Sequence, residues 1–273
     1  MTNPFFHAAL GLCSAVSLAA MAAPPPQAMV IYGDDAYPPY SYAEDGQMKG
    51  IYTEIVRQAL QTMPQYQVQL RPVPWKRGVL MLQTGEAFAL YPPYAVYGER
   101  PTVSYSVPLM TEQVAVFCNR DVVARRKLAH WPADYRGLRI GLNAGSYVGD
   151  AGYKAAVKAG TLVVDAAKGT RTNMLKLMRG RIDCYINDRL AVQWELQRIR
   201  KEGLQATSML AIEETAQLAS QQVYLGFSQG AVGPDRPDAY PYRADFVARF
   251  NAAILQMRQS GAIGRIVEHA LQP

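Results

Sequence analysis

The residues whose types and spacing could do chemistry point to binding rather than turnover. Gly145-Ser146 stands where an apolar strand segment, Leu138-Arg139-Ile140-Gly141-Leu142, gives way to a helical one. Amides at a helix start point outward with the dipole behind them, which suits a carboxylate, and the Ser146 hydroxyl suits an N-cap equally well. The stretch Gly141-Leu142-Asn143-Ala144-Gly145 lacks the third glycine of a dinucleotide site and begins no phosphate loop. No Gly-x-Ser-x-Gly elbow, Walker loop or zinc motif occurs. Three histidines (His7, His130, His269) and three cysteines (Cys13, Cys118, Cys184) show no metal-ligand spacing, so neither cofactor nor metal is expected. Tyrosine is the unusual count: 17 in all, ten of them from Tyr32 to Tyr105.

The 273 residues, 49% hydrophobic and 18% charged, suffice for a sizeable core in one large domain or two smaller ones. The net charge is +6, without any Lys/Arg block longer than Arg125-Arg126-Lys127, which argues against a nucleic-acid partner. Residues 111–218 carry 17 Lys/Arg against 11 Asp/Glu, and the rest 11 against 11. The whole excess therefore lies in one stretch, as a solvated helical surface or as an attraction for an anionic ligand or acidic partner.

No charged side chain precedes Asp34, and Phe5 to Ala22 is almost wholly apolar or small. Ala20-Met21-Ala22 offers the small residues of a signal-peptidase site, and Pro24-Pro25-Pro26 follows. Residues 1–22 read as a cleaved secretory signal that delivers the chain to the periplasm; an uncleaved anchor is the alternative. Export leaves Cys118 and Cys184, which can pair in an oxidising compartment or remain two buried thiols.

The elements that must position any site fall into two α/β units. Met29–Tyr32, the helical stripe Ile51, Ile55, Val56, Ala59, Leu60 and Met63, the alternating Val68 and Leu70, a helix over 76–84 and a strand over 87–91 make the first. Strands over 114–118, 138–142, 161–164 and 182–186, with helices over 148–158, around Asn173–Met178 and over 189–201, make the second. A strand over 223–227 and a helix over 245–259 are expected to return to the first unit.

Read in order, Tyr37-Pro38-Pro39-Tyr40-Ser41-Tyr42, Asp45-Gly46, Gly50-Ile51, Gly85-Glu86-Ala87, Gly98-Glu99-Arg100, Tyr105-Ser106-Val107-Pro108-Leu109, Gly145-Ser146, Gly180-Arg181-Ile182-Asp183 and Asn187-Asp188 resemble the family 3 solute-binding proteins, the periplasmic receptors of polar amino-acid ABC importers. Pro74-Trp75-Lys76-Arg77 is similar to a branch whose ligands are mostly unassigned. The resemblance implies a type II periplasmic-binding-protein fold with two lobes, 28–110 plus 219–273 and 111–218, joined by a two-strand hinge. It implies a monomer that closes on a small amino-acid-like or carboxylate ligand and hands it to a membrane permease. Arg100 falls on the arginine that grips the ligand carboxylate, a role its planar fork of donors fits; a surface arginine or a pair with Glu99 is the plain alternative. Asp188 matches the acid that receives the ligand ammonium, or simply caps the following helix. Tyr37 and Trp75 match side-chain contacts, Asp34 lies where some relatives touch a basic ligand, and Ser146 falls on the second lobe's carboxylate site. The implied lobe order also sets strand 114–118 beside 182–186, making Cys118 and Cys184 neighbours.

Three departures matter. Tyr91-Pro92-Pro93-Tyr94-Ala95 replaces a donor-rich segment with prolines that lack amide protons, leaving Tyr94 and Tyr97 on its flanks. Phe88 and Tyr52 stand where aspartates are common, which suggests a more apolar cleft. An enzyme on the same fold, such as a cyclohexadienyl dehydratase, would need a general acid; Glu54, Glu99 and Glu112 are the candidates. A ligand-presenting sensory module is the third reading.

Overall fold

The computed structural model describes Met1 and residues 25–271, except 97, 149, 204–211, 219 and 231–238. The expected signal segment lies outside the described residues apart from Met1, as does Tyr97.

Strand β1 (Gln27–Asp34) buries Met29, Ile31 and Gly33 in strict alternation. A small meander follows, β2 (Ala36–Tyr37), β3 (Ser41–Glu44) and β4 (Gln47–Lys49). Helix α1 (Ile51–Gln61) buries Ile51, Ile55, Val56 and Ala59, the stripe read from the sequence, and Tyr52 with them. Next come β5 (Tyr66–Val73), α2 (Trp75–Thr84), β6 (Ala89–Tyr91) and β7 (Val103–Tyr105). Gly85, at φ 78°, ends α2 with a left-handed cap. Strand β8 (Met110–Glu112) leads out of this unit.

The second unit holds β9 (Val114–Asn119), α3 (Arg120–Arg125), β10 (Arg139–Asn143), α4 (Ala151–Lys158), β11 (Val163–Ala167), α5 (Gly169–Met178), β12 (Cys184–Asp188), α6 (Arg189–Lys201) and β13 (Ile212–Gln217). The chain returns through β14 (Gln221–Val223) to β15 (Gly226–Ser228), α7 (Arg243–Gln259) and α8 (Ala262–Leu271).

Two five-stranded sheets result, ordered β5-β1-β6-β15-β7 and β11-β10-β12-β9-β13. Each has a parallel core and one strand running against it, β15 in the first and β9 in the second. Strands β8 and β14 pair antiparallel as a separate ribbon on the two passages between the sheets. Helices α1, α7 and α8 pack on one another against the first sheet, where Phe246 meets Phe88 and Phe227 edge to face and stacks on Phe250.

Several local expectations shift. The run Val223–Phe227 is two strands, because the intervening amides bond elsewhere: Tyr224 N–H to the Pro93 carbonyl (3.0 Å) and Leu225 N–H to the Ser106 hydroxyl (3.0 Å). Helix α4 starts at Ala151 instead of 148, because Asp150, accepting from the Tyr153 amide at 2.6 Å, is its cap. Strand β13 and helices α3 and α8 were not legible. Cys184 is the direct cross-strand partner of Cys118, and the two form a disulfide with Cα atoms 4.0 Å apart.

Candidate functional site

The sheets direct the carboxyl ends of β1, β10 and β12 toward a cavity between them, the end at which open α/β sheets hold ligands. Asp34, Tyr37, Trp75, Tyr94, Arg100 and Ser146 line it, together with Asn143, Tyr147 and Asn187, which sequence reasoning passed over. Its volume is about 50 Å³, little more than a water or two occupy.

Arg100 is held by a turn in which its N–H donates to the Val96 carbonyl (2.9 Å) and its own carbonyl accepts from Val103 (3.1 Å). The residue is 7% exposed, and among the described residues Nη1 has no hydrogen-bond partner. Glu99 is not its partner: that carboxylate takes the Lys154 ammonium at 2.6 Å. Asp34 ends β1 and accepts from the Ala36 amide at 3.0 Å. Burial pushes its carboxyl up to about 7, against the pull of that amide.

Ser146 departs from its expected setting. It lies on the loop between β10 and α4, its N–H bonded to the Asn143 carbonyl at 2.9 Å, so no helix dipole stands directly behind it. Asp188 is not part of the cavity wall. Its Oδ1 accepts from the Ala191 amide (3.1 Å), capping α6, and from the Tyr40 hydroxyl (2.7 Å); Oδ2 accepts from the Gln113 amide (2.9 Å). These partners turn the carboxylate away, and its neighbour Asn187 faces the cavity instead. Burial raises its pKa.

The tyrosines are wired. Glu112 Oε2 accepts from the hydroxyls of Tyr37 (2.7 Å) and Tyr94 (2.5 Å), and Oε1 from Tyr52 (2.7 Å). Burial, then the Asp188 charge, push the Glu112 carboxyl up to about 8 although all three phenols oppose the shift. Burial likewise holds the three phenols well above their usual range. Phe88 and Tyr52 do not make the cleft apolar: Phe88 is 3% exposed inside the first core, and Tyr52 is fully buried beneath Tyr40. Only the period of α1, which puts Tyr52 on the helix's buried face, could have hinted at this cluster.

The lobes are drawn together across the cleft. Trp75 Nε1 donates to the Gly145 carbonyl (3.1 Å), Lys168 pairs with Asp35 (2.8 Å), and Lys154 pairs with Glu99 (2.6 Å). The rings of Tyr42 and Trp194 meet with centroids 5.9 Å apart. Among the described residues no cluster of acids, histidines and cysteines suits a metal, and no helix is long and apolar enough to cross a membrane.

Two α/β lobes, a two-strand ribbon between them and a lined cavity at the facing strand ends define a ligand-binding protein of the periplasmic-binding-protein fold. The chain belongs to the bacterial extracellular solute-binding proteins, family 3, whose model matches residues 29–273. Among solved structures it is similar to a histidine kinase sensor domain with similarity to periplasmic binding proteins (20% identity, 90% of this chain and 96% of that one, TM-score 0.69). It is similar also to an ancestral arginine-binding protein bound to arginine (15%, 90% and 98%, 0.69) and to a putative L-cystine ABC transporter from Listeria monocytogenes (14%, 90% and 96%, 0.70). No curated protein sequence matches.

Proposed function

We propose that this chain is an exported, monomeric receptor that captures a small amino-acid-like or carboxylate ligand between its lobes and passes it to an ABC permease. One observation carries this reading: Arg100 lines the cavity, and its buried Nη1 has no hydrogen-bond partner among the described residues. A buried cation with a free donor is costly until an anion completes it, and a carboxylate fits its fork. Asp34, Tyr37, Trp75, Tyr94 and Ser146 complete the proposed contacts. Asp188 serves one step back, holding Tyr40 and capping α6.

Contacts between the lobes draw the cleft together, so the ligand enters as the lobes part about the β8–β14 ribbon and reclose on it. Such a receptor stores its specificity in the closed state, which the ligand stabilises by bridging both lobes.

Calorimetry against a panel of amino acids and aromatic acids tests the reading. A charge-assisted hydrogen bond contributes about 1.5–3 kcal/mol, so Arg100→Ala is expected to weaken binding at least tenfold with the fold intact. Unchanged affinity removes Arg100 from the site, and a failure of every amino acid and carboxylate in the panel to bind overturns the proposed ligand class.

A dehydratase-type enzyme is the second reading, favoured by a Glu112 carboxyl that keeps its proton near neutrality. Against it, Glu112 lies outside the cavity wall with three phenols on its oxygens, and Glu54 and Glu99 are paired with Arg57 and Lys154 at the surface. Formation of phenylpyruvate or phenylalanine from prephenate or arogenate would establish it.

A further inference from the structure

Glu112 stands on the hinge ribbon, where it pairs with Gln221, and it does not face the cavity. Yet two cavity-lining side chains, Tyr37 and Tyr94, end on its Oε2. They come from separate segments of the first lobe, one beside β1 and one after β6. Tyr52, on the buried face of α1, occupies Oε1 and stacks on Tyr40 with centroids 4.9 Å apart. The Tyr40 ring in turn meets Tyr37 at 5.2 Å. A buried acid can be satisfied by backbone amides, as Asp188 largely is; Glu112 instead gathers three side chains separated from it by 18, 60 and 75 residues.

A phenol has one proton and two lone pairs. Tyr37 and Tyr94 both end on Oε2, so whether the carboxyl is ionised or holds its proton on Oε1 toward Tyr52, each of these two hydroxyls spends its proton on Oε2. What Tyr37 and Tyr94 retain for a ligand is a ring face and an oxygen lone pair, both of which attract a cation that carries protons. Arg100, by contrast, offers donors only. The cavity therefore has one acidic-group end and one acceptor end, and the second is set from behind by Glu112.

We infer that Glu112 is a positioning residue for the cleft: by taking the hydroxyl protons of Tyr37 and Tyr94 it fixes both rings and makes them acceptors, selecting a ligand group that brings its own protons, such as an ammonium. The selection rests on the receptor reading above; the positioning of the two phenols does not.

Two measurements on the mature protein test it. The first uses ¹³C at the tyrosine ζ carbon, whose shift responds to hydroxyl donation; Tyr37→Phe and Tyr94→Phe assign the two signals. Glu112→Gln is expected to move both in the free protein, and signals left in place overturn the positioning. The second is calorimetry with matched probes, L-alanine against propanoate and L-phenylalanine against 3-phenylpropanoate. Glu112→Gln should weaken an amino acid at least tenfold and its deaminated partner less than threefold. Equal weakening of both would mean general loss of structure and overturns the selection. If the wild type binds no probe while the two signals behave as expected, the amino-acid reading and the selection fall together and the positioning stands. Should Glu112→Gln not fold, the double variant Tyr37→Phe/Tyr94→Phe, which leaves Tyr52 on the carboxylate, carries the same comparison of probes.

Discussion

The indole nitrogen of Trp75, at the first position of α2, donates to the backbone carbonyl of Gly145 on the other side of the cleft, at 3.1 Å. This bond joins the lobes at the mouth of the cavity that both residues' segments line. A neutral hydrogen bond contributes about 1 kcal/mol net, or roughly a fivefold shift in the balance of open and closed forms. Trp75→Phe keeps an aromatic ring of smaller size and loses the donor. It is expected to weaken ligand capture by about that factor and to raise the dissociation rate, read by stopped-flow fluorescence. An unaltered dissociation rate would show that the bond does not hold the closed state.

Gly169 sets a steric limit on the same closure. It begins α5 at φ 68°, and a Cβ there would come within 2.7 Å of the Ala36 carbonyl across the cleft. Because any side chain is also strained at that φ, Gly169→Ala is expected to cost the second lobe some stability and to prop the lobes apart, with a larger radius of gyration by small-angle scattering and weaker binding. A closed-sized particle with wild-type affinity would contradict this.

Stability should fall with rising pH. For an acid whose pKa is raised on folding, the folded chain binds more protons than the unfolded one between the two values, so stability drops as pH climbs through that window. For Glu112 the window runs from the ordinary 4.5 to about 8, and for Asp34 from 3.8 to about 7. Differential scanning calorimetry from pH 5 to 9 should show a falling Tm, and Glu112→Gln should flatten it. An equally steep fall in that variant would assign the slope to other groups.

The Cys118–Cys184 bond spans 66 residues within the second lobe. Constraint of the unfolded chain by a loop of that length stabilises by roughly 4 kcal/mol in the chain-entropy account. Titration of the unfolded, unreduced mature protein should find no free thiol. The Cys118→Ala/Cys184→Ala pair should lower the stability of the second lobe and leave the first sheet's core intact.

The elements most legible in the sequence are those whose pattern is local. The stripe on α1, the boundaries of α6 and the alternation of Val68 and Leu70 in β5 follow from side-chain period alone, and the family motifs set in order gave the bilobal fold. Arg100 stands out because it sits in a short motif, Gly98-Glu99-Arg100, beside Tyr105-Ser106-Val107-Pro108, and the structure places it on the cavity wall. Ser146 and Asp188 show where local reading stops. Each stood at a strand–helix junction where cap and ligand contact look alike; Asp150 and Asp188 turned out to be the caps. Which junction residue faces a cavity depends on the strand's twist and on the neighbours it meets.

What the sequence by itself determined is therefore an α/β chain in two units, with a guanidinium and aromatic rings available for a ligand. What only the tertiary structure decided is the state of those groups. The pairing of Cys118 with Cys184 and the three phenols on Glu112 join residues far apart in the chain, and Arg100 Nη1 is buried without a hydrogen-bond partner among the described residues. Hydrogen-bond partners and burial are fixed by packing between elements, and a linear pattern carries the period of each element but not its neighbours.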